Sequence, residues 1–387
     1  MLLETYVDLL SRNTENRMKN HHDQIHMSRA LQLAQDGLYS ADPNPRVGCV
    51  LVKDDLVIGE GWHARAGEAH AEIMAIRSAL GTTKGATAYV TLEPCCHTGR
   101  TGPCTQALIK AGVSRIVVAM QDPNPLVAGQ GLAELKEAGI AVESGLMELQ
   151  AAGLNPGFIK RMRTGRPYVR SKLAMSLDGR TAMESGESKW ITGEAARRDV
   201  QKLRARSSAI VTGIGTVLSD DPSLNVRLSA EELGMEGNVR QPTRVVLDAH
   251  LSMMPGAKML SLMGETLVLT EEKNLRAAAE LEAAGAEIVA IPAQRDNLDL
   301  DAVLDLLGQR GFNEVLLETG ARLSGAMLRA GLIDEMVIYL APHLMGDAAR
   351  GLFHLPGLDG MRDRIDLRIE DIRAIGSDWR IRAKVES

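Results

Sequence analysis

Short apolar runs alternate with helix-like stretches along most of this 387-residue chain. That alternation restricts it to folds in which helices cover a largely parallel sheet. MSRALQLAQDG, from Met27, reads as a helix ended by Gly37. VGCVLVKDD and LVIGEGWH read as a strand hairpin, HAEIMAIRSAL as a helix, ATAYVTLEP as a strand, CTQALIKAGV as a helix and RIVVAM as a strand. The basic, Gly/Pro-punctuated stretch KRMRTGRP, ending at Pro167, reads as a linker. Beyond it, strand-like runs recur at YVRSKLAMS, SAIVTGI, TRVVLDA, ETLVLT, EIVAIPA, EVLLET and DEMVIYLAP. Helical stretches such as EAARRDVQKLRARS and NLRAAAELEAAG separate most of them. Two α/β domains are expected, over residues 25–165 and 166–387, behind a polar, His/Asn-rich extension over residues 1–24.

The four cysteines are Cys49, Cys95, Cys96 and Cys104, three of them within ten residues. Such spacing is no disulfide framework for a chain of this length, so the cluster points to metal or catalysis. Cys49 sits in an apolar strand-like run and reads as a core thiol. Lys plus Arg is 44 against 50 for Asp plus Glu, a net charge of −6, and aromatics are 3%. An acidic balance with few stacking rings argues against a nucleic-acid partner. No apolar run is long enough to span a bilayer, and the first residues lack a basic segment followed by an apolar core. A cytoplasmic enzyme with no membrane partner is expected.

His70 and Glu72 form H-A-E at the start of a helix, and Glu93-Pro94-Cys95 and Cys104 follow. One imidazole and two thiolates suit Zn²⁺, and three protein ligands leave the fourth position open for water, as catalytic zinc requires. Glu72 is then free to take a proton from that water and pass it to a leaving amine. H-x-E followed by P-C and a second Cys is the pattern of zinc deaminases of nucleobases, although here eight residues separate Cys95 from Cys104. The competing arrangement is a closed structural site of Cys95, Cys96, His97 and Cys104. It leaves the spacing of Glu72 unexplained, and Cys96, adjacent to Cys95, reads as a bystander.

The chain resembles the bifunctional riboflavin-biosynthesis deaminase–reductases. The motifs are P-N-P-R-V-G-C-V from Pro43, G-E-G-W-H, H-A-E, T-L-E-P-C-C-H-T-G-R-T-G-P-C and M-Q-D-P-N-P, then K-L-A-M-S-L-D-G-R-T-A, T-G-I-G-T-V-L-S-D-D-P and L-E-T-G, in that order. The resemblance implies a cytidine-deaminase-like three-layer domain followed by a dihydrofolate-reductase-like α/β domain. It implies zinc on His70, Cys95 and Cys104, with Glu72 as proton shuttle. Asn44, His63 and Arg100 match positions facing a phosphorylated pyrimidine nucleotide. The implied reactions are hydrolytic deamination of 2,5-diamino-6-ribosylamino-4(3H)-pyrimidinone 5′-phosphate and NADPH-dependent reduction of its ribosyl group to ribityl. A homo-oligomer, dimer or tetramer, is also implied.

In the second half, Gly213-Ile214-Gly215-Thr216 follows a strand, where glycines let backbone N–H groups approach a phosphate. Leu218 leaves a three-glycine dinucleotide fingerprint incomplete, and such turns are often merely turns. Glu318-Thr319-Gly320-Ala321 makes a second strand-to-helix turn, and two such turns fit ligand binding at carboxyl ends of strands. A phosphorylated substrate needs cations, for which Arg204 and Arg227 are candidates. The resemblance places Ser188, Arg204, Leu224, Arg227 and Glu318 around the sugar phosphate. It places Ala174, Trp190, Thr216, Asp220, Gly320, Ala321, Arg322 and Leu323 around NADPH. Lys172 is the candidate acid/base for opening the sugar before hydride transfer.

Overall fold

The computed structural model describes residues 20–97, 102–125, 127–271, 275–294 and 297–386. The chain divides into two compact units between Arg163 and Thr164. The first contains α1 (residues 20–36), β1 (Gly48–Lys53), β2 (Leu56–Trp62), α2 (Ala71–Ser78), β3 (Thr87–Val90), α3 (Cys104–Lys110) and β4 (Arg115–Val118). α4 (Gln130–Glu137), β5 (Ala141–Ser144), α5 (Glu148–Leu154) and α6 (Pro156–Thr164) complete it. The sheet runs β2-β1-β3-β4-β5, antiparallel across β2, β1 and β3 and parallel from β3 to β5.

β1 reads as a continuous apolar run because both its faces are covered. Cys49 and Leu51 pack with Ala71, Ala75, Leu108, Leu132 and Leu135 of α2, α3 and α4. Val50 and Val52 pack on the other face with Met27, Ala30 and Leu31 of α1. Gly48 shows how closely α1 approaches: a Cβ there would lie 2.0 Å from the Ala30 carbonyl oxygen and 2.8 Å from the Ala34 nitrogen. Both are backbone atoms that cannot swing aside. Gly48→Ala is therefore expected to destabilise the first unit by on the order of 3 kcal/mol, read as a lower urea midpoint.

Residues 20–24, read from the sequence as extension, form the first turns of α1. Asp23 is buried, accepting from the Tyr89 hydroxyl at 2.7 Å and from both terminal nitrogens of Arg115 at 2.9 and 2.7 Å. A charged residue in a polar stretch is here a core anchor because its partners come from β3 and β4. Most of KRMRTGRP is likewise helical: α6 continues to Thr164, so only residues 165–167 lie between it and the next strand.

The second unit contains β6 (Tyr168–Ser176), β7 (Arg180–Ala182), α7 (Glu194–Arg206), β8 (Ala209–Gly213), α8 (Ile214–Asp220), β9 (Thr243–Leu247), β10 (Thr266–Thr270), α9 (Leu275–Ala283) and β11 (Ala286–Ala290). It continues through β12 (Ala293–Gln294), β13 (Asn297–Leu298), α10 (Leu300–Gln309), β14 (Glu314–Leu317), α11 (Ala321–Arg329), β15 (Glu335–Ala341), β16 (Arg350–Gly351), β17 (Leu367–Ile375) and β18 (Asp378–Val385). Its main sheet is ordered β11-β10-β9-β8-β14-β6-β15-β18-β17. All neighbours pair in parallel from β11 to β15, and β18 and β17 close the edge as an antiparallel hairpin. α10 and α11 cover one face through Val303, Leu304, Leu307, Met327 and Leu328. α7, α8 and α9 cover the other through Val200, Leu203, Val217 and Leu281.

Candidate active sites

In the first unit three elements bring the metal donors together. His70 is the N-cap of α2, Cys95 follows β3, and Cys104 opens α3 after Pro103. His70 Nδ1 lies 3.2 Å from Cys104 Sγ and 3.6 Å from Cys95 Sγ, and all three donors fall within 4.8 Å of one another. A tetrahedral zinc with bonds of about 2.0–2.1 Å to nitrogen and 2.3 Å to sulfur places such atoms about 3.6 Å apart, so the donor set fits the ion. Cys96 stands apart, its Sγ 4.0 Å from Gln130 Oε1, and no larger cluster includes it or His97 among the described residues.

The charge states favour ligation. Contact with Cys104, then with His70, holds the Cys95 thiol down to about 4, against burial that would raise it. The same contact and burial push the Cys104 thiol up. The Cys104 backbone N–H, at the start of α3, donates to Cys95 Sγ at 3.4 Å. Glu72, in the first turn of α2, is 3% exposed and meets the Cys104 thiol. Burial pushes its carboxyl above the usual range. Such a group can take up a proton and give it back.

His63 is buried, and its Nδ1–H donates to the Ala69 carbonyl at 3.2 Å. Its Nε2 is left to accept from the Asn44 amide at 3.0 Å. Burial lowers its pKa, so the ring is neutral, and it meets His70 edge-on at 5.2 Å. Asn44 and His63 thus stand beside the metal cluster. Arg100 lies outside the described residues.

One organising residue was not singled out from the sequence. Glu93 is buried, and its Oε2 accepts from the backbone N–H of Asp122 and Gly129, both at 3.0 Å. Oε1 accepts from Gly131 at 2.9 Å and Leu132 at 3.3 Å. A Cβ at Gly131 would lie 2.2 Å from the Pro94 carbonyl, so α4 presses directly on the turn that delivers Cys95. An acid immediately before P-C was the available signal. Glu93→Ala is expected to weaken zinc binding about 10–100-fold, measured by chelator competition.

In the second unit the candidate residues gather where β8 and β14 end beside the middle of β6. Register pairs Leu317 with both Val211 and Ser171, so the next row on the α7 face holds Thr212, Glu318 and Lys172. Arg204 of α7 clasps Glu318, Nε to Oε1 at 2.6 Å and Nη2 to Oε2 at 2.9 Å, and its Nη1 donates to the Asn225 carbonyl at 3.0 Å. Burial would raise the Glu318 carboxyl, but Arg204, then Lys172 and Arg227, leave it below its usual value. Burial pulls the Lys172 ammonium down; Glu318 opposes this and Arg204 adds to it. Arg227 is exposed beside this group, and among the described residues its guanidinium makes no clasp comparable to that of Arg204.

Gly213 caps α8 and Gly320 caps α11. The two turns touch, since a Cβ on Gly213 would lie 3.3 Å from Leu323 and 3.7 Å from Thr319. A Cβ on Gly215 or Gly320 would meet nothing within 4 Å, so both turns face open space. Thr216 is in the first turn of α8, and Ala321 and Arg322 open α11. Trp190 is 71% exposed, with the Arg197 guanidinium 4.8 Å over its ring. Arg197 Nη1 also donates to the Thr192 carbonyl at 2.6 Å, a positioning contact absent from the sequence reading. Ser188 is half-buried in the same loop and Ala174 lies in β6 opposite Tyr339. Asp220 is exposed at the far end of α8. Leu224 is a core side chain, 3% exposed, so only its backbone can meet a ligand.

Comparison with known proteins bears on both units. The cytidine and deoxycytidylate deaminase zinc-binding region matches residues 20–120, and the RibD C-terminal domain matches residues 167–381. The riboflavin biosynthesis protein RibD of Escherichia coli is 50% identical over 361 residues, covering 92% of this chain and 97% of that protein. The chain belongs to the RibD family. A solved RibD structure from Acinetobacter baumannii superposes with a TM-score of 0.87 at 48% identity, covering 95% of this chain and all of that one. The Thermotoga maritima diaminohydroxyphosphoribosylaminopyrimidine deaminase/5-amino-6-(5-phosphoribosylamino)uracil reductase gives 0.82 at 31% identity, covering 95% and 99%. As a RibD-family protein the chain is a bifunctional riboflavin-pathway enzyme. Its cytidine-deaminase-like unit uses zinc and its reductase unit uses NADPH. Among the described residues no helix is long and apolar enough to cross a membrane.

Proposed function

We propose that the first unit deaminates 2,5-diamino-6-ribosylamino-4(3H)-pyrimidinone 5′-phosphate through Glu72 and a zinc held by His70, Cys95 and Cys104. The second unit then reduces the ribosyl group of the product to ribityl. The observation that carries the reading is the convergence of these three donors beside a buried carboxylate that none of them needs as a ligand.

Zinc, when bound, lowers the pKa of a water molecule to about 7 and so supplies a nucleophile at neutral pH. Glu72 removes a proton from the attacking water and returns it to the amine, which leaves as ammonia while a carbonyl forms. Burial suits Glu72 to both steps by bringing its proton affinity nearer to that of its partners. Asn44 orients the pyrimidine, and His63, locked by Ala69, fixes the Asn44 amide.

NADPH, when bound, supplies the hydride for the second reaction. The turns at Gly213 and Gly320 offer open backbone for its phosphates, with Thr216, Ala321, Arg322 and Leu323 around them and Trp190 as an apolar wall. Ala174 and Asp220 complete the proposed cofactor set. Arg227 holds the sugar phosphate with Ser188 and the Leu224 backbone, because Arg204 is committed to Glu318 and Asn225. Lys172, kept in place by Glu318, donates a proton to the ring oxygen as the sugar opens.

Supplying the diaminopyrimidine nucleotide with NADPH and following cofactor absorbance tests the whole sequence. Cofactor oxidation is expected only after ammonia release; no oxidation with NADPH or NADH would remove the reductase reading. The same reading makes the protein a cytoplasmic homo-oligomer, dimer or tetramer, which light scattering checks.

A further inference from the structure

Residues 224–228 run beside the reductase site without belonging to any strand. Their burial nevertheless alternates as a strand's does: Leu224, Val226 and Leu228 are buried, while Asn225 and Arg227 are not. Side chains replace the missing ladder. Gln241 accepts from the Val226 N–H through Oε1 at 2.8 Å and donates to the Val226 carbonyl through Nε2 at 3.1 Å. Gln201, 6% exposed on α7, accepts from the Arg227 N–H at 3.0 Å. Arg204 takes the Asn225 carbonyl. The backbone of this segment is therefore held on both sides of Arg227 and Asn225, independently of their side chains.

Among the described residues one side-chain atom of this segment has no partner: Asn225 Oδ1 is buried and accepts no hydrogen bond. Thr212 Oγ1, in the row with Glu318 and Lys172, is buried and likewise without a partner among the described residues. Unsatisfied buried groups are uncommon and call for an explanation, and these two flank one ion pair. A carbonyl oxygen repels a phosphate but accepts from a hydroxyl.

We propose that Asn225 is a specificity-determining substrate residue, its side-chain carbonyl accepting a hydroxyl of the sugar whose phosphate Arg227 holds. Gln201 and Gln241 are the positioning residues that present both. This rests on the reading of the second unit as the ribosyl reductase. Loss of such a bond weakens substrate binding without touching hydride transfer.

The test uses the full-length enzyme with the deaminated substrate and NADPH. Asn225→Leu preserves shape and removes the acceptor. It is expected to raise the substrate KM about 10–100-fold, with kcat within about threefold and the NADPH KM unchanged. Its Tm should not fall, because an unpaired polar atom has left a buried position; a merely structural Asn225 would lower Tm instead. Gln201→Leu should raise the same KM, and Gln201→Glu, which still accepts from Arg227, should restore it. Gln241→Glu should not restore what Gln241→Leu loses, because Gln241 must donate as well as accept. Arg227→Ala is run in parallel. A raised KM for Arg227→Ala with no change for Asn225→Leu would overturn the proposal and leave the site reading intact. No change for either variant would overturn both.

Discussion

Glu72→Gln is expected to lower the deamination rate by a factor of about 10²–10⁴ while the protein still binds one zinc per chain. Glutamine keeps the size and polarity of the side chain but cannot carry a proton from water to the amine. The three donors do not depend on Glu72: His70 Nδ1 and the two sulfurs meet one another directly. Metal content by mass spectrometry and ammonia release by coupled assay therefore separate the two roles. Reduction of the deaminated substrate by the same preparation should be unchanged, which excludes misfolding. Deamination at the wild-type rate would remove the assigned role.

Lys172→Ala is expected to lower the reductase kcat by a similar factor of about 10²–10⁴, leaving substrate affinity and deamination intact. Glu318 keeps its two-point contact with Arg204 in the variant, so no buried carboxylate is left unpaired. Burial lowers the wild-type Lys172 pKa. If the ammonium is the acid, the rate falls as pH rises through that depressed value, and the alkaline limb lies below the ordinary lysine value of about 10.4. Unchanged turnover in Lys172→Ala with intact affinity would sink the assignment.

Parts of this architecture are legible in one dimension for definite reasons. β1, β8 and β14 read as strands because each is buried on both faces, so their side chains are mostly apolar without alternation. The zinc centre is legible because ligand chemistry restricts residue type and because two donors stand at the entrances of helices. The C-terminal hairpin β17–β18 was not assigned. Its strands carry cross-strand ion pairs, Arg380 with Asp371 and Arg382 and Lys384 with Glu370, which interleave with and mask the short alternation Trp379, Ile381, Ala383 and Val385 of β18. Asp23 was hidden for a related reason: its partners lie 66 and 92 residues away, so a core anchor looks like one more acid in a polar stretch.

The alternation of apolar runs and helices that first constrained this chain was enough to establish covered sheets, and the motifs were enough to name the chemistry. Neither distinguishes the roles of the two arginines. Arg204 and Arg227 are equivalent as charges in a sequence. In the fold, β14 lies between β8 and β6 and delivers Glu318 to Arg204 across 114 residues, while Arg227 stays exposed, which is why the phosphate is proposed for Arg227. The same sheet order sets Lys172 beside Glu318 and packs α7 over both. Local spacing encodes which groups can bind a metal or shape a turn. Which charges neutralise each other depends on strand order, a property of long-range pairing that short-range pattern does not carry.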